Sequence, residues 1–209
     1  MIIITEDSGT HVTTVGMCGA AINGIKYNLD GDLVAGASHN GSLYVYKVSR
    51  DGFAYKKYSK ISGGQGLTQV DWDNVGDTVQ TSSTDHVLSF WNTETSKIEK
   101  VASVMRSKVW DDQTCVLGWS VAGLWSNHNY RHVASVESVH VGHTRQLITA
   151  GDSLGHVRLF GYPCMDPKSE FHEDKPVSGA IACTRFFYDD SYVIAVGGLE
   201  AAILKYKVK

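Results

Sequence analysis

The stretch Leu33-Val34-Ala35-Gly36-Ala37-Ser38-His39-Asn40-Gly41-Ser42-Leu43-Tyr44-Val45-Tyr46 decides the fold class. Two runs rich in aliphatic and aromatic residues flank a short polar break. Asn40-Gly41 tolerates positive φ at both positions and predicts a two-residue hairpin turn. The phrase returns three times: Thr78 to Trp91 around Asp85-His86, Gln146 to Phe160 around Gly151-Asp152-Ser153-Leu154-Gly155, and Tyr192 to Tyr206 around Gly197-Gly198. Each copy follows another short strand and a polar turn. Those leading strands are Gly24 to Tyr27, Thr68 to Trp72, Ser135 to Val139 and Cys183 to Phe187.

The aromatic residues that close the four phrases are Tyr46, Trp91, Phe160 and Tyr206, spaced by 45, 69 and 46 residues. The long middle interval exceeds one period and predicts an insertion. A unit of this length with three or four strands is the pattern of a β-propeller blade, a sheet too small to bury both faces without a neighbour. A β-sandwich would not require a repeated three-strand phrase. The chain is therefore read as all-β, a partial propeller of about four WD-type blades. Blades are expected at 20–62, 63–104, 105–175 with the insertion, and 176–209, with 1–19 as outer strands of a preceding blade. Outer strands are expected at Phe53 to Tyr58 and Lys97 to Val101, with His11 to Val15 as an outer strand of the preceding blade. Either an N-terminal strand closes a ring on the last blade, or the blades belong to a larger propeller. The unfinished blades at both ends favour the second.

Composition narrows the function. The 209 residues carry 43% hydrophobic and 20% charged side chains, too apolar for a disordered tail. The net charge of −3 argues against a nucleic-acid binder. No apolar run approaches the roughly 18 residues of a membrane helix, and Met1-Ile2-Ile3-Ile4-Thr5-Glu6-Asp7 lacks the features of a signal peptide. Neither nucleic acid nor membrane is an expected partner, and the expected location is the cytoplasm. Cys18, Cys115, Cys164 and Cys183 form no Cys-x-x-Cys pair and are expected as free, buried thiols.

Several motifs resemble chemistry without its context. Gly151-Asp152-Ser153-Leu154-Gly155 fits the Gly-x-Ser-x-Gly nucleophile pattern, which needs a strand followed by a helix. Here a second strand follows, so a hairpin turn is predicted and no hydrolase. His128 and His132, and His140 and His143, have metal-pair spacings that work on a helix. The alternating pattern from Val133 to Val139 predicts a strand, and so surface or turn histidines. Asp111-Asp112 and Asp189-Asp190 read as turn formers. Asn40-Gly41-Ser42 fits a glycosylation acceptor, but no secretory signal accompanies it. No catalytic, cofactor-binding or metal-binding set is expected. Trp110, Trp119 and Trp125 lie in the insertion, either as a local mini-core or as an exposed anchor.

The insertion phrase Thr114-Cys115-Val116-Leu117-Gly118-Trp119-Ser120-Val121-Ala122-Gly123-Leu124-Trp125 resembles a segment of the echinoderm microtubule-associated protein-like (EMAP-like) WD-repeat family. Asp30 to His39, Val70-Asp71-Trp72, Gly155 to Cys164 and Asp189 to Gly198 resemble the same family in order and spacing. The resemblance covers nearly the whole chain and is strongest to the C-terminal blades of the family's second propeller. It implies a non-enzymatic, microtubule-associated scaffold of the cytoskeleton, including the axoneme of a cilium or flagellum, with tubulin or the microtubule lattice as partner. The alternative is a WD-repeat adaptor that assembles a soluble complex. The family's first propeller and basic coiled-coil region are not among these residues. Gly63-Gly64-Gln65-Gly66 and Pro176-Val177-Ser178-Gly179 stand where Gly-His dipeptides often open a blade. A fragment, or a subunit whose propeller is completed by another chain, is expected.

Charge is uneven. Residues 47–60 hold Lys47, Arg50, Lys56, Lys57 and Lys60 against Asp51, and residues 97–108 hold Lys97, Lys100, Arg106 and Lys108 against Glu99. Both runs fall on outer strands or their exits. An acidic partner such as tubulin would be attracted there, which makes Lys56, Lys57, Lys60, Lys97, Lys100, Arg106 and Lys108 the candidate partner contacts. The competing reading is that edge-strand lysines prevent unwanted strand pairing.

Overall fold

A computed structural model describes residues 2–4, 9–16, 19–99, 101–125 and 134–208. The chain forms two compact units, Met1–Asp111 and Asp112–Lys209. In the first, β1 (Ile2–Ile4) pairs with β2 (His11–Thr14). Next come β3 (Ile22–Tyr27), β4 (Leu33–Ser38), β5 (Ser42–Val48) and β6 (Tyr55–Ser62), an antiparallel sheet in chain order. A second such sheet holds β7 (Leu67–Trp72), β8 (Thr78–Ser83), β9 (Leu88–Asn92) and β10 (Lys97–Glu99). In the second unit β11 (Val136–Val141), β12 (Leu147–Asp152), β13 (Val157–Gly161) and β14 (Phe171–Asp174) form a third sheet. The fourth sheet is β15 (Ile181–Phe186), β16 (Tyr192–Gly197) and β17 (Ile203–Lys207). Four meandering antiparallel sheets of three or four strands are the architecture of a partial β-propeller, and we call them blades 1 to 4.

The repeat is carried by one turn used four times. The N–H groups of Asn28, Asp73, Gly142 and Phe187 donate to the carbonyls of Leu33, Thr78, Leu147 and Tyr192 at 2.8–3.0 Å, closing the first hairpin of each blade. Three residues further on, Gly31, Gly76, Arg145 and Asp190 each take a left-handed φ of +71, +83, +55 and +56°. Glycine enters that region freely, whereas a residue with Cβ does so at a cost of about 1 kcal/mol.

The second hairpin of blade 1 corrects the two-residue expectation. Its loop is His39-Asn40-Gly41, in which the Gly41 N–H donates to the Ser38 carbonyl at 3.1 Å and Gly41 sits at φ +77°. Asn40 uses its side-chain oxygen to accept from the Ser42 N–H at 3.0 Å. A three-residue turn with a left-handed third residue meets the strand twist as well as a two-residue turn does.

Each unit buries a core between its two blades. In the first, Ala35, Ala37, Leu43, Val45 and Ile61 of blade 1 meet Leu67, Val70, Trp72, Val79 and Trp91 of blade 2. The Trp91 indole donates to Thr81 Oγ1 at 2.8 Å. Truncating such a tryptophan costs about 3–5 kcal/mol. The opposite face of blade 1 buries Val34, Tyr44, Tyr46 and Val48, with Val15 packed against them and the Tyr46 hydroxyl donating to the Gly16 carbonyl. In the second unit, Val157 of blade 3 packs with Val177, Ile181 and Ala195, and Leu204 and Tyr206 lie against them.

The insertion contributes 3-10 helices at Ala102–Ser107 and Trp119–Trp125. Trp110 and Trp125 pack inward, each within its own unit. Trp110 is buried and stacks on Phe90 at 5.8 Å. Trp125 donates to the Val116 carbonyl at 2.7 Å and lies against the blade 3 core, and Trp119 is half-buried.

Outer strands differ most from expectation. β6 runs from Tyr55 to Ser62, beyond the expected Phe53 to Tyr58, and Val101, expected at the end of the outer strand of blade 2, is not part of β10. β14 was not anticipated, because Phe171-His172-Glu173-Asp174 is mostly exposed and shows no alternation. Among the described residues β1 pairs with β2, and the fourth sheet is formed by β15, β16 and β17. Cys115 and Cys164 are buried free thiols and Cys183 is half-buried, while Cys18 lies outside the described residues.

Candidate functional site: a basic outer rim

The basic residues expected at the rim have three fates. Lys56, Lys57 and Lys60 lie exposed on β6, the outer strand of blade 1. A register shift between Val45 and Tyr46 leaves Tyr46 opposite Lys57 and Lys47 opposite Lys56. Lys47 is exposed as well, so two like charges face each other across the strand pair. Such a pair repels and weakens the edge slightly. Lys60 reaches over the ring of buried Tyr44, with its ammonium 5.5 Å from the centroid. Exposed Tyr58 and Phe53 interleave with these cations, and Arg50 is exposed in the loop before β6.

Lys97 is exposed at the start of β10, the outer strand of blade 2. The end of β6 abuts that strand, since a Cβ placed on Gly63 would lie 2.5 Å from Ile98 Cδ1. Lys60 and Lys97 therefore belong to adjoining parts of one rim. Arg106 is exposed on the 3-10 helix that follows. Lys100 lies outside the described residues.

Lys108 departs from the others. Its ammonium binds Asp73 Oδ2, Asp77 Oδ1 at 2.8 Å and Thr78 Oγ1 at 2.7 Å. Partial burial alone would lower its pKa, but the hydrogen bonds it donates to the Asp73 and Asp77 carboxylates outweigh that and raise the pKa. Burial likewise pushes Asp77 up, and the Lys108 hydrogen bond leads the effects that hold it below the usual carboxylate range. The buried Asp73 carboxylate also accepts from the N–H groups of Gly76, Asp77 and Thr78, so Lys108 clamps the first turn of blade 2.

The motifs that resembled chemistry fall on structural positions. Ser153 lies in the hairpin between β12 and β13, and its hydroxyl accepts from the Ser135 N–H at 3.0 Å. Asp152 accepts from the N–H groups of Leu154 and His156, and its carboxylate lies 2.9 Å from the Arg158 guanidinium. Arg158 in turn bonds Glu173 across to β14 at 2.7 Å. His140 Nδ1 accepts from the Phe186 N–H at 3.1 Å, and His143 contacts Asp190 at 2.9 Å. His128 and His132 lie outside the described residues. Among the described residues no group of three or more His, Cys, Asp and Glu is placed to hold a metal ion. Asp189 and Asp190 form a turn, as their sequence suggests, and Asp190 also spans to blade 3.

A basic feature the rim reading passed over lies on β17. Alternation places Lys205 and Lys207 on one face, and the Lys205 ammonium sits 3.8 Å from the centroid of Tyr192. The signal was available in the Lys-Tyr-Lys spacing, which was read only as strand.

Comparison with known proteins agrees with this architecture. The family model described as the echinoderm microtubule-associated protein second beta-propeller matches residues 1–208. Echinoderm microtubule-associated protein-like 2 of Homo sapiens is 30% identical over 188 residues, 90% of this chain and 29% of that protein. Echinoderm microtubule-associated protein-like 4 of Xenopus laevis is 28% identical over 186 residues, 88% of this chain and 20% of that protein. The 77 kDa echinoderm microtubule-associated protein of Strongylocentrotus purpuratus is 30% identical over 185 residues, 88% of this chain and 27% of that protein. The chain thus spans less than a third of the length of these relatives. With the whole repeat matched to one propeller model, the chain belongs to the echinoderm microtubule-associated protein-like family, in the region of its second propeller.

Proposed function

We propose that this chain is a propeller scaffold that associates with microtubules through the basic rim of its first unit. The observation that carries the reading is the run of exposed lysines on β6, with Lys47 opposite Lys56 and Lys97 on the adjoining strand. No carboxylate among the described residues pairs with Lys47, Lys56, Lys57 or Lys97. Their charges are open to a partner, and a polymer with an acidic surface answers them over a Debye length of about 8 Å at physiological salt. Tyr58 and Phe53 add apolar area beside those charges. The names of the relatives, all microtubule-associated proteins, supply the polymer. Attachment within an axoneme, itself a microtubule array, would use the same rim.

Co-sedimentation with polymerised tubulin tests this. The chain pellets with microtubules at low salt and is released as salt rises. Lys56→Glu with Lys57→Glu weakens pelleting by roughly tenfold without lowering the melting temperature, because both side chains are exposed. Pelleting that ignores both the substitutions and salt would remove the rim from the account. No pelleting at all would favour an adaptor for a soluble complex.

A further inference from the structure

The seam between blades 3 and 4 is closed in part by a titratable acceptor. His140 of β11 accepts the Phe186 N–H of β15 on Nδ1 at 3.1 Å. An imidazole nitrogen accepts only when it carries no proton, so this bond fixes the neutral ring with its single proton on Nε2. Nε2 lies 3.8 Å from Asp112 Oδ2 in the insertion, and 12% of the His140 side chain is exposed. The ring packs on that of Phe186 at 6.1 Å. Its other titratable and charged neighbours among the described residues are His143, Asp190 and Arg185. The His143 ring meets His140 edge-on at 6.2 Å and contacts Asp190 at 2.9 Å. Asp190, held at about 2, is ionised throughout the neutral and mildly acid range. Arg185 donates to the carbonyl of Val139, beside His140.

We propose that His140 is a proton-operated latch on this seam. Above about pH 6.5, where an imidazole is ordinarily neutral, the ring holds the Phe186 N–H. On acidification a proton from solvent adds to the Nδ1 lone pair. Both ring nitrogens are then donors, the bond to Phe186 breaks, and the imidazolium is drawn to the Asp112 carboxylate. Phe186 is buried, so its N–H loses the acceptor at a cost and its end of the seam opens. The bond requires the neutral ring, so its contribution is complete at neutral pH and is lost as pH falls. Asp112 sets how far pH must fall, because its charge favours the protonated ring. Opening stays local. The Thr184 N–H still bonds the Ser138 hydroxyl, which does not titrate here, and Arg185 still bonds Val139. The seam between blades 1 and 2 is built differently at the matching place. Lys26 stands two residues before its turn, as His140 stands before Gly142, and there the Trp72 indole donates to a backbone carbonyl. The latch lies in the second unit and does not depend on the microtubule reading.

The test follows the full chain by NMR from about pH 7.5 to about pH 5. At the upper end His140 Nδ1 resonates as an unprotonated nitrogen and Nε2 as a protonated one, and Nδ1 gains its proton on acidification. Over the same range protection of the Phe186 amide, corrected for the intrinsic pH dependence of exchange, falls by at least about tenfold. Protection of Val193 and Ala195 in β16 and of the Trp72 indole holds. His140→Asn keeps an acceptor oxygen where Nδ1 stood and takes up no proton, so Phe186 stays protected throughout. Asp112→Asn leaves the seam bond in place and serves where His140→Asn melts early. It moves the midpoint of the Phe186 response to lower pH by at least about half a unit. His143→Gln retains the response. A proton on Nδ1 at neutral pH, Phe186 protection that ignores pH, or an acid response that survives in His140→Asn would overturn the proposal. So would a parallel loss at Val193 and Ala195, which would mark a general loosening of the blade rather than a latch.

Discussion

The two blade-to-blade seams occupy the same positions in the repeat and are joined by different chemistry. Between blades 1 and 2, the Lys26 ammonium bonds Asp71 Oδ1 at 3.0 Å and the Trp72 indole donates to the Lys26 carbonyl at 3.0 Å. Asn23 adds a bond to the Leu67 carbonyl. Between blades 3 and 4, the Thr184 N–H donates to Ser138 Oγ at 2.9 Å, the Phe186 N–H to His140, and Arg185 to the Val139 carbonyl. Every one of these partners is 44 to 46 residues apart. The repeat therefore fixes where strands meet, while each seam solves its polar pairing separately. One relies on a lysine–carboxylate pair, whereas in the other Ser138 and His140 accept backbone N–H groups and Arg185 donates to a carbonyl.

That contrast predicts unequal damage. Asp71→Ala carries the largest effect, because Asp71 is fully buried and also accepts from Gln80 at 3.2 Å. Removing it takes the Asp71 acceptor away from Lys26 and Gln80 and costs on the order of 3 kcal/mol in denaturant titration. A loss below about 1 kcal/mol would mean that the ion pair contributes little to its seam. Ser138→Ala in the other seam leaves the buried Thr184 N–H without an acceptor, a loss of roughly 1.5 kcal/mol. Equal losses from the two variants would erase the distinction drawn here.

The second seam also carries a pH signature at its rim. Partial burial pushes the Asp190 carboxyl up, but hydrogen bonds from the Thr144 and His143 N–H groups and the His143 ring outweigh it and hold the pKa at about 2. A carboxyl with a depressed folded-state pKa contributes fully above its unfolded value of about 3.9. That contribution is lost as pH falls from there through about 2. Carbon-detected NMR titration of Asp190 should give a midpoint near 2, and Asp190→Asn should flatten the stability profile in that window. A midpoint near 4 would show that the bonds to blade 3 do not form in solution.

The smallest effects concern the shared turn. Gly31→Ala, at φ +71° with open space around it, costs about 1 kcal/mol from backbone conformation alone. Arg145→Gly at φ +55° runs the other way, with a gain of about 0.5 kcal/mol in thermal melts. A loss on Arg145→Gly would show that the arginine side chain contributes more there than its backbone strain costs.

Much of the fold was legible because short-range patterns carry it. Asp30-Gly31 and Gly76-Asp77 announce the turns, Tyr46, Trp91, Phe160 and Tyr206 mark the period, and the long interval before Phe160 locates the insertion. The seams were not legible, since Lys26 and Asp71 share no local pattern with Ser138 and Thr184. Charge counting failed at Lys108 for a related reason. It treats lysines alike, whereas Asp73 and Asp77 lie 35 and 31 residues upstream and meet Lys108 only after folding. Lys56, Lys57 and Lys60 were legible as exposed because an outer strand has no further neighbour to cover them.

Native-state hydrogen exchange at the Thr184 and Phe186 amides and at the Trp72 indole tests pairwise blade packing most directly. These three groups donate across a seam rather than within a sheet. The account predicts that they exchange as slowly as ladder amides such as those of Val193 and Ala195 in β16, each opening only with its unit. Exchange at the rate of an unstructured chain, with the ladders still protected, would contradict it.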